Sequence, residues 1–497
     1  MIHRPSTVRA LMVALSVLTP AASAPAAPDS PRPGTGTGPP PPYAPLRQAE
    51  DYSYLKDPAK RADLFDPIKY IPLNSSGDWY LSLGGQARYR YDLFNNNNFN
   101  TGPQDEDGFH LGRFLGHADL HLGESLRGFV QVKSALEDGR VGGPRPIDAD
   151  EIDIQQAFVD FKLPLPLGPS GSTVTFRAGR QELTYGAQRL VGPLDWANTR
   201  RTFEGAKAIV QFSKTHSLDL FWVRPVLVDK EEPNDGDGNA SFAGVYDTLG
   251  LPSVFGADAR SKLELYGLVL NRTNAAWPTE GAGDEDRYTV GARFSSNPKP
   301  FDLDVEADYQ FGKFRSGDIS AWAVAAEAGY TFAGTPFTPR PFIGLDTASG
   351  DRDRNDGDLQ TFNQLFPTGH PHLGYIDVVG RQNVIDVRPG FELTPLENKP
   401  WAKKVTLRTE YHLFWRESTN DALYADSGAA LRGTGAIGAA ADASEIGSEL
   451  DLLLNWQIDR HAAAYFGYSH FFPGDFISQT GADGDIDFVY AALTYTF

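Results

Sequence analysis

From position 79 onward the chain repeats one pattern: roughly ten residues of alternating polarity, then a cluster of turn residues. The segment 301–311 shows it plainly. Phe301, Leu303, Val305, Ala307, Tyr309 and Phe311 fall on one face, and Asp302, Asp304, Glu306, Asp308 and Gln310 fall on the other. Strand side chains alternate between faces, so this spacing gives one apolar and one polar surface; a helix would smear both sets around its circumference. The first strand repeats the pattern, with Leu81, Leu83, Ala87, Tyr89, Tyr91 and Leu93 opposing Ser82, Gln86, Arg88, Arg90 and Asp92. Around 405–416, Val405, Leu407, Thr409, Tyr411, Leu413 and Trp415 oppose Arg408, Glu410, His412 and Arg416. Strands in soluble sandwiches are shorter, about 5–6 residues, and seldom carry so many charges in register. Long strands that are apolar outside and charged inside predict a transmembrane antiparallel β-barrel, all-β, closed because lipid cannot satisfy a free sheet edge. Val489, Ala491, Leu493, Tyr495 and Phe497 continue the alternation to a terminal Phe, the usual ending of an outer-membrane barrel.

Loop lengths set the strand count, since short turns face the periplasm and long loops face outward. Segments 95–108, 137–151, 182–200, 271–286, 314–318, 350–383, 417–444 and 472–486 are expected outside. Segments 123–126, 163–172, 213–216, 295–300, 333–340, 394–404 and 457–461 are expected inside. Treating 226–260 as one loop breaks the alternation. A strand at 240–248 followed by an inner turn at 249–260 restores it, giving about 18 strands.

The N-terminus has a different character. Arg4 and Arg9 precede the apolar run 10–18, and Ala22-Ser23-Ala24 supplies a small-x-small cleavage site, so residues 1–26 read as a signal peptide. Residues 25–46 are dense in Pro and Gly and read as a disordered linker, part of a periplasmic N-terminal segment spanning 27–78; the barrel occupies 79–497. Past the leader no apolar run reaches the ~18–20 residues of a membrane helix. Cys is absent, which removes disulfide and thiolate chemistry. The net charge of −19 opposes nucleic-acid binding, which needs a basic face.

A lumen of this width is expected to hold water, and inward side chains then decide what passes. The inward basic set is Arg88, Arg90, Arg113, Lys133, Arg177, Lys207, Arg293, Arg388, Arg408 and Arg416. The inward acidic set includes Asp92, Asp119, Asp302, Asp304, Glu306, Asp308, Asp386, Glu392, Glu410, Glu449 and Asp451. Such groups either present a transverse field to a passing sugar acid or pair with one another into ladders that brace the wall. The acidic stretches 351–358, 235–239 and 483–487 place carboxylates at alternate positions, as a loop-bound Ca²⁺ would require. Gly357 falls one residue late for an EF-hand and Phe362 stands where its Glu belongs, so solvated external loops are the plainer reading and no cofactor is expected. No catalytic motif has a supporting context; His370, His372 and nearby Asp residues are loop candidates for a hydrolase, but no nucleophile stands out, and an enzyme is not expected.

Several longer motifs stand out: Asp66-Pro67-Ile68-Lys69-Tyr70-Ile71-Pro72-Leu73 and Leu83-Gly84-Gly85-Gln86-Ala87-Arg88-Tyr89-Arg90-Tyr91, then Gly179-Arg180-Gln181-Glu182-Leu183, Tyr185-Gly186 and Arg189-Leu190. Trp196-Ala197-Asn198, Arg201-Thr202-Phe203-Glu204-Gly205, Ala348-Ser349-Gly350-Asp351 and the run from Thr361 to His370 complete the set. Together these motifs resemble the alginate export family of outer-membrane porins. The resemblance runs from about residue 50 to the end. It implies an 18-stranded barrel that passes an anionic polysaccharide through an arginine-lined constriction, gated by an inward-folding loop and a periplasmic turn. Arg88 and Arg90, then Arg180 and Arg189, stand in the matching motifs. The expected pore-lining set is therefore Arg88, Arg90, Arg113, Arg177, Arg180, Arg189, Arg293, Arg388, Arg408, Asp92 and Glu410. The expected setting is outer-membrane lipid and lipopolysaccharide, with a polysaccharide or oligosaccharide substrate and periplasmic export partners. A diffusion porin for small anionic or carbohydrate solutes is the alternative, and a sealed barrel with adhesive loops a third reading.

Overall fold

A computed structural model of the chain describes residues 41–166, 168–252, 260–278, 280–298, 300–395, 405–435 and 440–497. Residues 1–40, which hold the expected signal peptide and most of the expected linker, lie outside the described residues. The strands run Trp79–Asn95 (β1), Phe109–Leu122 (β2), Leu126–Asp138 (β3), Asp150–Pro164 (β4), Thr173–Gln181 (β5), Phe203–Ser213 (β6), His216–Leu227 (β7), Ala240–Leu251 (β8) and Ser261–Trp277 (β9). They continue as Gly281–Ser296 (β10), Phe301–Phe314 (β11), Gly317–Tyr330 (β12), Arg340–Ala348 (β13), Val384–Leu393 (β14), Val405–Trp415 (β15), Glu445–Gln457 (β16), Ala462–Pro473 (β17) and Ile486–Thr496 (β18).

Every neighbour is antiparallel, and β1 pairs with both β2 and β18, with Arg88 opposite Arg113 on one side and Thr494 on the other. The sheet is thus a closed barrel of 18 strands. The strand inferred from loop parity is β8, paired along its length with β9 and over most of it with β7. Terminal Phe497 exchanges two backbone hydrogen bonds with Gly85, which seals the seam.

Burial is inverted relative to a soluble protein. Tyr89 is 54% exposed, whereas its neighbours Arg88 and Arg90 are 6% and 2% exposed. Phe301, Tyr309 and Phe311 are likewise open outward, and Glu306, Asp308 and Gln310 are buried. An apolar outer skin over a polar interior requires lipid outside, since water would not tolerate so large an apolar surface. Among the described residues no helix is long and apolar enough to cross a membrane. A cation on that skin should be costly: Val290→Arg, midway along β10, is expected to destabilise the barrel by roughly 2–4 kcal/mol. A lower urea midpoint in lipid vesicles would register it.

The interior departs from the water-filled expectation in its outer half. Counting outer loops from the N-terminus, the third (L3, residues 182–202), seventh (L7, 349–383) and eighth (L8, described at 416–435 and 440–444) fold into or over the lumen. They build an apolar core there: Leu183, Leu190 and Phe362 pack against the inward faces of β6 to β9 through Phe203, Phe221, Phe242 and Tyr266. The N-terminal segment also differs from expectation. Residues 41–46 are not a free tail: with the short 3-10 turns Arg47–Ala49 and Ser53–Lys56 and the one-turn helix α1 (Asp66–Lys69), they sit in the periplasmic mouth. There Tyr52, Tyr54, Leu55 and Tyr70 form a small core with Tyr80 of β1.

Candidate functional site

L3 folds into the lumen, and arginines hold it there. Arg88 of β1 donates to the Asp195 carbonyl at 2.7 Å and to the Ala197 carbonyl at 3.2 Å. Arg90 donates to the Trp196 carbonyl at 2.6 Å, and its guanidinium lies 3.9 Å from the Trp196 ring centre. Arg113 of β2 donates to the Asp195 carbonyl at 3.0 Å and to its carboxylate at 2.8 Å. Three inward arginines on adjacent strands thus converge on one peptide segment. Charged donors satisfy backbone acceptors that the low-dielectric interior would otherwise leave bare.

The loop is braced from within and from L7. Arg200 forks onto Glu182 with two bonds of 2.7 Å and also reaches the Asp195 carboxylate. Trp196 stacks on the His370 ring at 3.6 Å. Val191 and Phe366 form an isolated bridge, and Arg201 donates to the Pro367 carbonyl at 2.8 Å. Enclosure within the lumen opposes ionisation of Asp195 even though its side chain stays accessible to solvent, but Arg113, Arg200 and Arg88 outweigh it and hold the carboxyl well below the usual carboxylate range. Burial, reinforced by the positive charges of Arg189, Arg381 and Arg388, keeps His372 neutral, and its Nε2 lies 2.9 Å from the Ala187 carbonyl. His370 meets Asp377 at 2.9 Å. His372 thus ties L7 to L3, and His370, bonded within L7, does so through its stack on Trp196.

The expected pore-lining residues fall into two groups. Arg88, Arg90, Arg113 and Asp92 come together beneath L3, buried, with Arg90 bonded to Asp92 at 2.8 Å. The rest form ion-pair ladders along the wall. Arg177 forks onto Asp160, and Arg180 bridges Asp153 and Glu204. Arg388 joins Glu410 and Glu327, with Arg408 beside both. Arg293 joins Glu264 and Asp304. Arg189 belongs to L3 rather than to the wall, and crosses to Asp304 at 2.6 Å and Glu306 at 2.9 Å on β11. The inward acids of β11 are thus all engaged, with Asp302 paired to Arg340 and Asp308 accepting a hydrogen bond from the Tyr266 hydroxyl. Sequence reasoning missed Arg200, Arg340 and Arg381; only Arg200 carried a signal, since it adjoins the motif at Arg201.

Between L3, L7 and the N-terminal segment lies a chamber of about 880 Å³, walled by Tyr43, Leu46, Gln188, Asp195, Arg200 and His372. A more polar recess of about 480 Å³ opens between Gly186 and the periplasmic ends of β9 to β11, beside Glu264, Arg293, Asp302 and Asp304. Among the described residues no three His, Asp or Glu side chains gather as a metal would need. In the 351–358 stretch Asp351 accepts the Asp353 amide at 2.9 Å, so the loop's own backbone occupies it.

A closed, lipid-facing barrel with loops folded into a polar lumen defines an outer-membrane channel. The sequence matches the alginate export family over residues 79–488, and the chain belongs to that family. Among solved structures it is similar to OpdK of Pseudomonas aeruginosa, determined with vanillate: 12% identity, TM-score 0.53, covering 84% of this chain and 98% of that one. OccD3 (OpdP) of the same organism gives 12% identity and TM-score 0.53 over 84% and 91%, and OccK8 (OprE) gives 11% and 0.53 over 84% and 98%. At these identities the likeness is one of fold. Among curated protein sequences no relative matches.

Proposed function

We propose that this outer-membrane channel passively translocates an anionic polysaccharide or sugar-acid oligomer, whose carboxylates engage the arginines around L3 and along the ladders. The observation that carries the reading is the setting of Asp195. Its side chain is 57% exposed, yet it is bonded to Arg113 and Arg200. A uronate carboxylate entering the chamber can exchange with that carboxylate on the same two guanidinium groups. Exchange keeps each step near balance, which translocation requires, since a site must bind well enough to fill and weakly enough to empty. The barrel has no access to ATP, so a gradient or a periplasmic partner supplies the drive. Arg408, half-buried beside Glu327 and Glu410, offers a third guanidinium further along the wall.

Ion current through planar bilayers tests this. Oligouronates should block the current at concentrations where neutral glucose oligomers of equal length do not. Arg408→Ala should weaken the block several-fold and move the reversal potential toward cations, because Glu327 and Glu410 lose a counter-charge. Equal block by both oligomers would instead favour a diffusion porin for small solutes.

A further inference from the structure

The seam of the barrel is complete without the N-terminal segment, since β1 and β18 pair from Gln86 to Asn95. The segment nevertheless sits inside. Arg47, only 6% exposed, donates to the Gly85 carbonyl at 2.8 Å and to the Phe497 carbonyl at 3.0 Å, so it grips the seam from within. The Gln48 carbonyl accepts from Arg127 of β3 at 2.7 Å, and its side chain accepts from Gln156 of β4 at 3.1 Å. Tyr43 meets His461 at 3.2 Å, and Asp63 pairs with Arg460 and His461, both at 2.8 Å, in the turn joining β16 to β17. The contacts therefore touch β1, β3, β4, β18 and the β16–β17 turn, spanning the mouth. Gly84 makes room for the seat: a Cβ there would stand 2.3 Å from the Lys69 ammonium nitrogen.

Two features distinguish this seat from a permanent part of the wall. The segment's strand pairing with the barrel is confined to Ile71 and Pro72, opposite Leu81 and Tyr80. The seat is also polar and incompletely bonded: Lys69 Nζ, Asp66 Oδ1 and His117 Nδ1 are buried with no hydrogen-bond partner among the described residues. Such groups weaken the seated state relative to one exposed to water. The link back to β1 is short, with Gly77 at φ 71° in a turn that a rotation can reopen.

We propose that residues 43–70 are a removable plug that closes the periplasmic mouth, so that the channel is gated from the periplasm by its own N-terminal segment. In this chain the plug takes the place expected of a periplasmic turn; the β16–β17 turn, residues 458–461, serves as part of its seat. The proposal rests on the channel reading above. It also places the control point where a periplasmic export partner could reach it.

A chain without cysteine allows a clean test in the full-length protein. The triple variant Arg47→Ala, Gln48→Cys, Gln156→Cys loses the seam grip but can be locked by a short, reducible bis-methanethiosulfonate cross-linker that replaces the reach of the two glutamine side chains now in contact. Cross-linked, it should pass little current in planar bilayers; after reductant, the same molecules should conduct several-fold more, and renewed cross-linking should close them. Equal current in both states overturns the plug and leaves the channel reading standing. No current in either state overturns the channel reading, and the plug with it.

Discussion

Arg88→Ala combined with Arg113→Ala is expected to release L3 and give a larger, flickering channel. Together the two arginines make four hydrogen bonds to the Asp195 and Ala197 carbonyls and one to the Asp195 carboxylate. Bonds from a charged donor contribute about 1.5–3 kcal/mol each when buried. Against this, taking two guanidinium groups out of water costs several kcal/mol, which the variant recovers. The difference leaves a net loss of roughly 2–4 kcal/mol in L3 docking, a shift of about thirty- to a thousandfold in its docked-to-free ratio. A spin label at Gln188→Cys should change from immobile to mobile. Asp195→Ala is the contrast: it keeps the backbone acceptors, so the label should stay immobile, while Arg113 and Arg200 become available to solute carboxylates and oligouronate block strengthens. An immobile label in the double arginine variant would refute the anchoring role.

That result would explain why the same arginines were legible in one respect and not in another. Period-2 alternation placed Arg88, Arg90 and Arg113 on the inward face, and in the barrel all three are buried against L3. What they hold lies 107 positions along the chain in the case of Arg88 and the Asp195 carbonyl, and no local pattern encodes so distant a partner. The ladders were half legible. Inward acids and bases could be counted, but which of them meet depends on register and on L3, whose Arg189 reaches β11 from a loop. β8 yielded only to loop parity because its inward face lacks the charges that mark the other strands: Phe242 and Tyr246 point into the loop core instead. The plug was illegible for a related reason. Tyr43, Tyr52, Tyr54 and Tyr70 follow no helical or strand period, so their common core forms only once the barrel mouth is there to enclose it.

The plug should also respond to pH, through Lys69. Its ammonium group is 1% exposed, facing the Tyr43 and Tyr52 rings at 5.4 and 5.0 Å, with no hydrogen-bond partner among the described residues. Burial, and then the like charge of Arg47, lower its pKa to about 7; Arg460 acts in the same sense, and Glu50 and Asp63 oppose them. His117 is the titratable neighbour on the wall, beside Gly84. Tyr43 and Tyr52 are pushed up by burial and stay neutral through the window that matters. The sign follows from linkage. A released plug returns Lys69 to its ordinary value of 10.5, so between pH 7 and that value release takes up a proton, and raising the pH favours the seated form. Each pH unit in that window can contribute up to about 1.4 kcal/mol, or tenfold, to seating; below pH 7 both states hold the proton and the dependence flattens. Conductance of the full-length channel is therefore expected to fall as pH rises from 7 toward 10. Lys69→Met, which keeps the apolar stem without a charge, should seat the plug more tightly at pH 7 and lose the dependence. A Lys69→Met channel with the same pH profile as the parent would remove Lys69 as its cause.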